Sequence, residues 1–218
     1  MDYPNQRTEA TMGGADPTRR LAVAIALTLA LCWTMPAIVY AQSQDARGFV
    51  RDLGDGVIAV LKDEKRNEAS RRAALRAIFL ESFDTVAIAR FALGRYWRVA
   101  TEAQKARYLD MFPTYVADIY AGRLSNYAGE VFAVLRERTS DATRTLVNAE
   151  IRRPDGGTLK IDFRVHRTAD GFRTFDVLVE GLSLLITKRD EFATVIRRKG
   201  LDGLLSLLEQ QTRRMING

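Results

Sequence analysis

The chain of 218 residues holds one cysteine, Cys32, and one histidine, His166. A single thiol closes no intramolecular disulfide, so stability has to come from packing. Cys32 sits in an apolar segment near the N-terminus and no cysteine follows it. The rest of the chain therefore offers no thiol nucleophile. One histidine supplies no His/Cys set at zinc-ligand spacing. It lies between Arg164 and Arg167 in an alternating stretch, on the polar face, which makes it an expected surface residue. No G-x-S-x-G elbow accompanies it and no P-loop glycine pattern occurs. The 27 Asp and Glu residues include many carboxylate pairs, but no spacing selects one for acid–base work. Residues 42–218 also lack repeats, low-complexity tracts and Pro/Gly linkers. The expectation is a single domain with no catalytic residues, no metal and no cofactor.

What is present begins with an N-terminal address. Arg19 and Arg20 precede an apolar run over 21–31, followed by Trp33, Pro36 and the small-residue end Val39-Tyr40-Ala41. A charged region, a short apolar core and an A-x-A-like site describe a secretory signal peptide, with cleavage expected between Ala41 and Gln42. An uncleaved N-terminal anchor is the alternative, although Thr28, Thr34 and Pro36 interrupt the roughly 20 apolar residues a span needs. Leu29-Ala30-Leu31 before Cys32 is a poor lipoprotein box, because Leu31 is bulky. Thr18-Arg19-Arg20 lacks the aromatic that usually follows a twin-arginine pair. Export removes the disulfide-free remainder to an oxidising compartment and argues against nucleic acid as a partner.

Removing 41 residues leaves 177, enough for one domain with a substantial core. The leader is neutral, so the formal charge of +6 stays with residues 42–218. Basic groups cluster at Arg71-Arg72, Arg152-Arg153, Arg197-Arg198-Lys199 and Arg213-Arg214. Such surfaces favour anionic headgroups or acidic protein patches, or are plain solvated faces.

Apolar residues at Phe49, Leu53, Val57, Val60 and Leu61 recur at helical spacing and predict a helix over 46–62. Leu75, Ile78, Phe79 and Phe83 predict a second over 68–83, and 84–93 a third that stops at Gly94. Thr101 with Gln104 forms a capping box for the longest helix. Pro113 inside it removes a backbone donor and predicts a kink. After Gly129 the apolar period falls from about 3.6 to 2. Strands are expected over 131–138 and 143–153, then along Leu159, Ile161, Phe163 and Val165, then along Phe175, Val177 and Val179. Pro154-Asp155-Gly156-Gly157 and Ala169-Asp170-Gly171 mark turns. Gly181 breaks the last strand, a helix over 183–199 ends at Gly200, and Asp202 is placed to cap a final helix. This is an α+β pattern: helices covering one face of a mainly antiparallel four-stranded sheet.

Several tracts carry a resemblance. Leu93-Gly94-Arg95-Tyr96-Trp97 with Ala100-Thr101-Glu102-Ala103-Gln104 forms an L-G-x-Y-[YW]…A-T-x-x-Q junction. Residues 112–124 read F-x-x-Y-x-x-x-x-Y-x-x-x-L. Arg153-Pro154-Asp155-Gly156, Lys160-Ile161-Asp162-Phe163, Val179-Glu180-Gly181-Leu182 and Lys199-Gly200-Leu201-Asp202-Gly203-Leu204 follow in order. Together they resemble the MlaC family of toluene-tolerance proteins across nearly all of residues 42–218. The resemblance implies a periplasmic carrier that passes phospholipid between an outer-membrane lipoprotein complex and an inner-membrane ABC transporter. It implies a curved sheet with an apolar cavity under the helices. On that basis the expected lipid contacts are Leu93, Tyr96, Phe112, Val116, Tyr120, Val147, Ile161, Phe163, Phe175, Val177, Phe192 and Ile196. Arg197, Arg198 and Lys199 are expected at a partner or headgroup. A hopanoid-associated branch of the family (HpnM) and a ligand-free envelope scaffold stay open as alternatives. Each apolar residue named here serves equally well in a solid core.

Overall fold

Each long helix starts on a side chain able to accept a backbone proton. Asp45 takes the N–H of Gly48 at 2.5 Å and opens α1 (Ala46–Lys62). Asn67 takes that of Ser70 at 2.8 Å and opens α2 (Glu68–Ser82). Asp84 takes that of Ala87 at 2.9 Å and opens α3 (Thr85–Leu93). A one-turn helix α4 (Tyr96–Val99) leads to α5 (Glu102–Leu124). There the expected capping box forms in both directions: Gln104 N–H donates to Thr101 Oγ1 at 3.2 Å and Thr101 N–H to Gln104 Oε1 at 3.0 Å. The computed structural model describes residues 45–124, 129–139, 141 and 143–217. The expected signal peptide, Cys32 and the cleavage site at Ala41 and Gln42 lie outside the described residues. No described helix is long and apolar enough to cross a membrane.

The sheet is a sequential antiparallel meander, curved and unclosed, with β1 (Val131–Thr139), β2 (Arg144–Arg152), β3 (Thr158–Thr168), β4 (Gly171–Val179) and β5 (Leu182–Ser183). It has five strands where the sequence pattern suggests four. The extra one follows from Glu180 and Gly181, whose φ values of 49° and 81° make a two-residue hairpin that lays Leu182 beside Val179. Two residues carry no alternation signal, so β5 is silent in the sequence. The helix α6 (Leu184–Asn217) then begins on Ser183, whose Oγ accepts the N–H of Ile186 at 3.0 Å. Gly200, at φ 71° and ψ 175°, divides α6 as expected. Asp202 instead takes a hydrogen bond from the Gln104 side chain at 2.9 Å, which joins α6 to the start of α5. Helix α5 continues through Pro113 as one element.

One irregularity in β4 matters for the site. Val165 of β3 pairs with Thr174 and Arg164 with Asp176, so Phe175 is an extra, bulged residue. Phe172 and Val177 are five residues apart and would face opposite sides of a regular strand. The bulge brings both onto the side that packs with Ile161, Phe163 and Val165.

The core is divided into three. Helices α3, α5 and α6 share one cluster around Tyr108, Phe112, Phe192, Leu204 and Leu208. Helix α1 packs on the sheet through Val50 against Val147, Ala149 and Val165. Leu61, Leu75 and Ala121 tie α1, α2 and α5 together. Domains of this size usually hold one contiguous core. Here the three clusters stand apart, and the gap between them is the site.

Candidate functional site

The gap is a cavity of about 420 Å³, within the roughly 300–1,000 Å³ common for ligand pockets. All three clusters supply its wall. Ile88, Phe112, Val116 and Leu185 come from the helical cluster, Ile161 and Phe163 from the sheet, and Leu61, Leu75 and Ala121 from the third. Between them stand the apolar faces of α1 (Leu53, Val57, Ile58) and α2 (Ile78, Phe79), with Phe83 beyond, and the sheet residues Phe132, Ile151, Leu159, Phe175, Val177 and Val179. Phe79 stacks on Phe83 at 4.3 Å and on Tyr120 at 6.4 Å, so aromatic faces form a continuous side of the wall. Gly54 lets α1 approach the sheet: a Cβ there would lie 2.1 Å from Phe132 Cδ1.

Two buried carboxylates near the wall are committed to structure. Asp176 is buried, and its carboxylate accepts from Ser183 Oγ at 2.7 Å, Leu185 N–H at 3.1 Å and Arg164 Nη1 at 2.9 Å. It fastens β4 to the start of α6 across the Glu180–Gly181 turn. Asp118, buried in α5, is held by Arg76 of α2, with Nε at 2.7 Å. Burial pushes the Tyr115 phenol up to about 12, with the Glu191 charge adding to the effect, and raises Tyr120 in the same direction. Burial also raises Tyr108 well above the ordinary phenol value, and its hydroxyl donates to the Ala89 carbonyl at 3.0 Å. These phenols stay neutral and behave as apolar wall or core.

Seven of the residues expected to touch lipid stand on this wall: Phe112, Val116, Tyr120, Ile161, Phe163, Phe175 and Val177. Five stand off it. Leu93, Phe192 and Ile196 fill the solid helical cluster, where the Phe192 ring meets Tyr108, Phe112 and Tyr115. Tyr96 packs against the outside of that cluster with Arg95 over its ring at 5.0 Å. Val147 is fully buried beneath α1. An apolar face reads the same in sequence whether it meets side chains or a void. Arg197, Arg198 and Lys199 are exposed on α6 and away from the cavity wall. His166 is not a plain surface residue: it is half-buried, its ring lies 5.3 Å from that of Phe175, and Nε2 is 3.0 Å from Asp84 Oδ2. The wall contributed by α1 and α2 was missed. The signal that could have found it is Gly54, a residue without a side chain in the middle of an apolar helix face.

Among the described residues no group of three or more His, Cys, Asp or Glu is arranged to hold a metal. The arrangement encloses an apolar space. Residues 51–210 match the family model described as MlaC protein. The chain belongs to the MlaC family. Among MlaC-type relatives, the toluene tolerance protein Ttg2D of Pseudomonas putida is 23% identical over 108 residues, which is 50% of each chain. The match thus spans about half the length of that curated relative. A solved structure from Ralstonia solanacearum, a phospholipid-binding protein in complex with a phospholipid, superposes with a TM-score of 0.68 at 26% identity. That superposition covers 79% of this chain and 99% of the other.

Proposed function

We propose that this MlaC-family chain is a lipid carrier that holds the acyl chains of a phospholipid in the cavity between its helices and its sheet. The observation that carries the reading is the split core: three packed clusters surround an apolar space of about 420 Å³ instead of merging. The Ralstonia solanacearum neighbour, a phospholipid-binding protein in complex with a phospholipid, supports the choice of ligand. In this reading the protein is a carrier and not an enzyme. It works in the periplasm after export through its N-terminal segment, between an outer-membrane lipoprotein complex and an inner-membrane ABC transporter.

The energetics suit a shuttle. Burying one methylene is worth about 0.8 kcal/mol, so two chains with about 30 methylenes gain on the order of 20 kcal/mol. A lipid in a bilayer already has most of that gain. The cavity therefore has to match the bilayer, not exceed it, and net direction has to come from the partners. Mass spectrometry of the organic extract of purified protein tests the reading. Stoichiometric glycerophospholipid is expected. A polycyclic triterpenoid in its place moves the protein to the hopanoid-associated branch. An extract with no lipid, together with no uptake from phospholipid vesicles, leaves a ligand-free scaffold and overturns the proposal.

A further inference from the structure

The charged residues on the cavity wall are Arg123, Glu130, Arg153, Asp176 and Lys188. Three are occupied. Asp176 is saturated by Ser183, Leu185 and Arg164. Lys188 holds Glu191 at 2.5 Å and lies over the Tyr115 and Phe192 rings. Glu130 is half-buried and engaged. The two arginines differ. Among all the lining residues only Arg123, Leu124 and Arg153 are exposed. The cavity therefore reaches solvent where α5 ends and the β2–β3 turn begins.

Both ends line this one cavity. Arg153 follows Arg152, which pairs with Val131, so Arg153 stands across from Glu130 at the beginning of β1. Gly129 approaches the same turn, where a Cβ on it would lie 3.9 Å from Pro154 Cγ. Leu124, at the end of α5, lines the same opening. Among the described residues neither guanidinium has a carboxylate within ion-pair distance. Arg123 rests over the ring of Tyr120, itself a wall residue, at 5.5 Å. This cation–π contact keeps the exposed guanidinium beside a wall residue. Arg123, Arg153 and Glu130 together leave the rim with one net positive charge. A guanidinium presents paired donors that match a phosphate oxygen pair.

We infer that Arg123 and Arg153 form a recognition pair at the cavity mouth for a phosphodiester, that of the lipid whose acyl chains fill the cavity. The inference rests on the carrier reading. It assigns headgroup contact to the end of α5 and the β2–β3 turn, and not to the Arg197–Lys199 cluster of α6. The test uses the full chain stripped of lipid, with calorimetric titration of dioctanoyl phosphatidylglycerol and dioctanoylglycerol. These probes share acyl chains and differ in the phosphate headgroup. The double variant Arg123→Gln, Arg153→Gln is expected to weaken phosphatidylglycerol about tenfold, the lower end for charged hydrogen bonds at an exposed site. Dioctanoylglycerol should bind it as it binds wild type. Added salt should weaken phosphatidylglycerol binding to wild type more than to the double variant. Arg197→Gln, Arg198→Gln should change neither probe. Unchanged phosphatidylglycerol binding, or equal loss of both probes, overturns the pair. Competition by inorganic phosphate at the same residues makes it a free-phosphate site and overturns the lipid assignment. If wild type binds neither probe, the carrier reading itself fails. Should the double variant melt early, Arg153→Gln alone, on the turn, carries the same comparison.

Discussion

A methyl group added at Gly54 would lie 2.1 Å from Cδ1 and 2.2 Å from Cε1 of Phe132. Carbon atoms in contact sit about 3.5–4.0 Å apart, so the ring has to retreat by roughly 1.5 Å. Phe163 stands edge-on to Phe132 at 6.0 Å and 87°, and the cavity lies beside both. The open direction is therefore into the cavity. Two terms compete in Gly54→Ala. Alanine gains about 1 kcal/mol over glycine inside a helix. Overpacking a fitted contact costs about 1–3 kcal/mol. The net effect runs from neutral to about 2 kcal/mol destabilising. Gly56, on the same helix, is the internal control. Its nearest neighbour to an added Cβ is Ile78 Cδ1 at 3.8 Å, an ordinary contact. Gly56→Ala should therefore keep its helix gain of about 0.5–1 kcal/mol and raise Tm by about 1–4 °C for a chain of this size. Gly54→Ala should not raise Tm, and it should lower the amount of co-purified lipid. Adding Phe132→Leu should restore part of both, with a coupling energy of about 0.5–3 kcal/mol in the double-mutant cycle. Calorimetry and lipid quantification on the four proteins decide the matter. If Gly54→Ala stabilises as much as Gly56→Ala, the close approach of α1 to β1 is wrong.

Val177→Trp projects an indole from the strand position facing Phe163 into the cavity; it should cut bound phospholipid by more than half of the wild-type signal while changing stability by at most about 1–3 kcal/mol, and an unaltered lipid yield would make Val177 plain core. Arg76→Met strands the buried Asp118 carboxylate and should cost about 3 kcal/mol in urea unfolding, whereas Arg76→Met with Asp118→Leu should recover most of it; equal losses in the two proteins would show that the charge is not what matters. Asp176→Ala leaves the Leu185 N–H and Ser183 Oγ without their acceptor and should cost about 2 kcal/mol or more, with hydrogen exchange rising first in the opening turn of α6; protection unchanged there would refute the fastening role. High pH should destabilise the fold through its phenols. An unfolded tyrosine ionises at 10.0 and Tyr115 in the native chain at about 12, so the native state binds the extra proton, stability is intact below pH 10 and falls as pH rises toward 12. A Tm series over that window should show a shallower fall for Tyr115→Phe, and identical slopes would sink the assignment.

Local rules made most of the elements legible. Asp45, Asn67, Asp84 and Thr101 each sit where a helix needs an acceptor, and the helices begin there. The strand alternation of Leu159, Ile161, Phe163 and Val165 reappears as a wall-and-core face of β3. Features that depend on a single backbone angle were harder to see. Glu180 has positive φ although it is not glycine, and only with Gly181 does it make the hairpin to β5. The Phe175 bulge is likewise invisible, because alternation across Phe175, Val177 and Val179 is regular on its own. The cavity wall was legible in part. Phe112, Val116 and Tyr120 on α5, with Ile161, Phe163, Phe175 and Val177 on the sheet, reach the cavity, but Leu93, Val147, Phe192 and Ile196 have the same apolar character and fill solid core.

By itself the sequence determined the α+β order of elements, the Thr101–Gln104 capping box, the stop at Gly200 and the resemblance to the MlaC family, because hydrogen-bond acceptors, turn residues and hydrophobic period act over a few neighbouring positions. Only the tertiary structure decided that the apolar faces do not all meet. A void is a property of how far elements stand apart. That spacing is set by Gly54 against Phe132, by the bulge at Phe175 and by the Asp176 fastening of β4 to α6. The same long-range arrangement left Arg123 and Arg153, 30 positions apart in the chain, on the wall of one cavity.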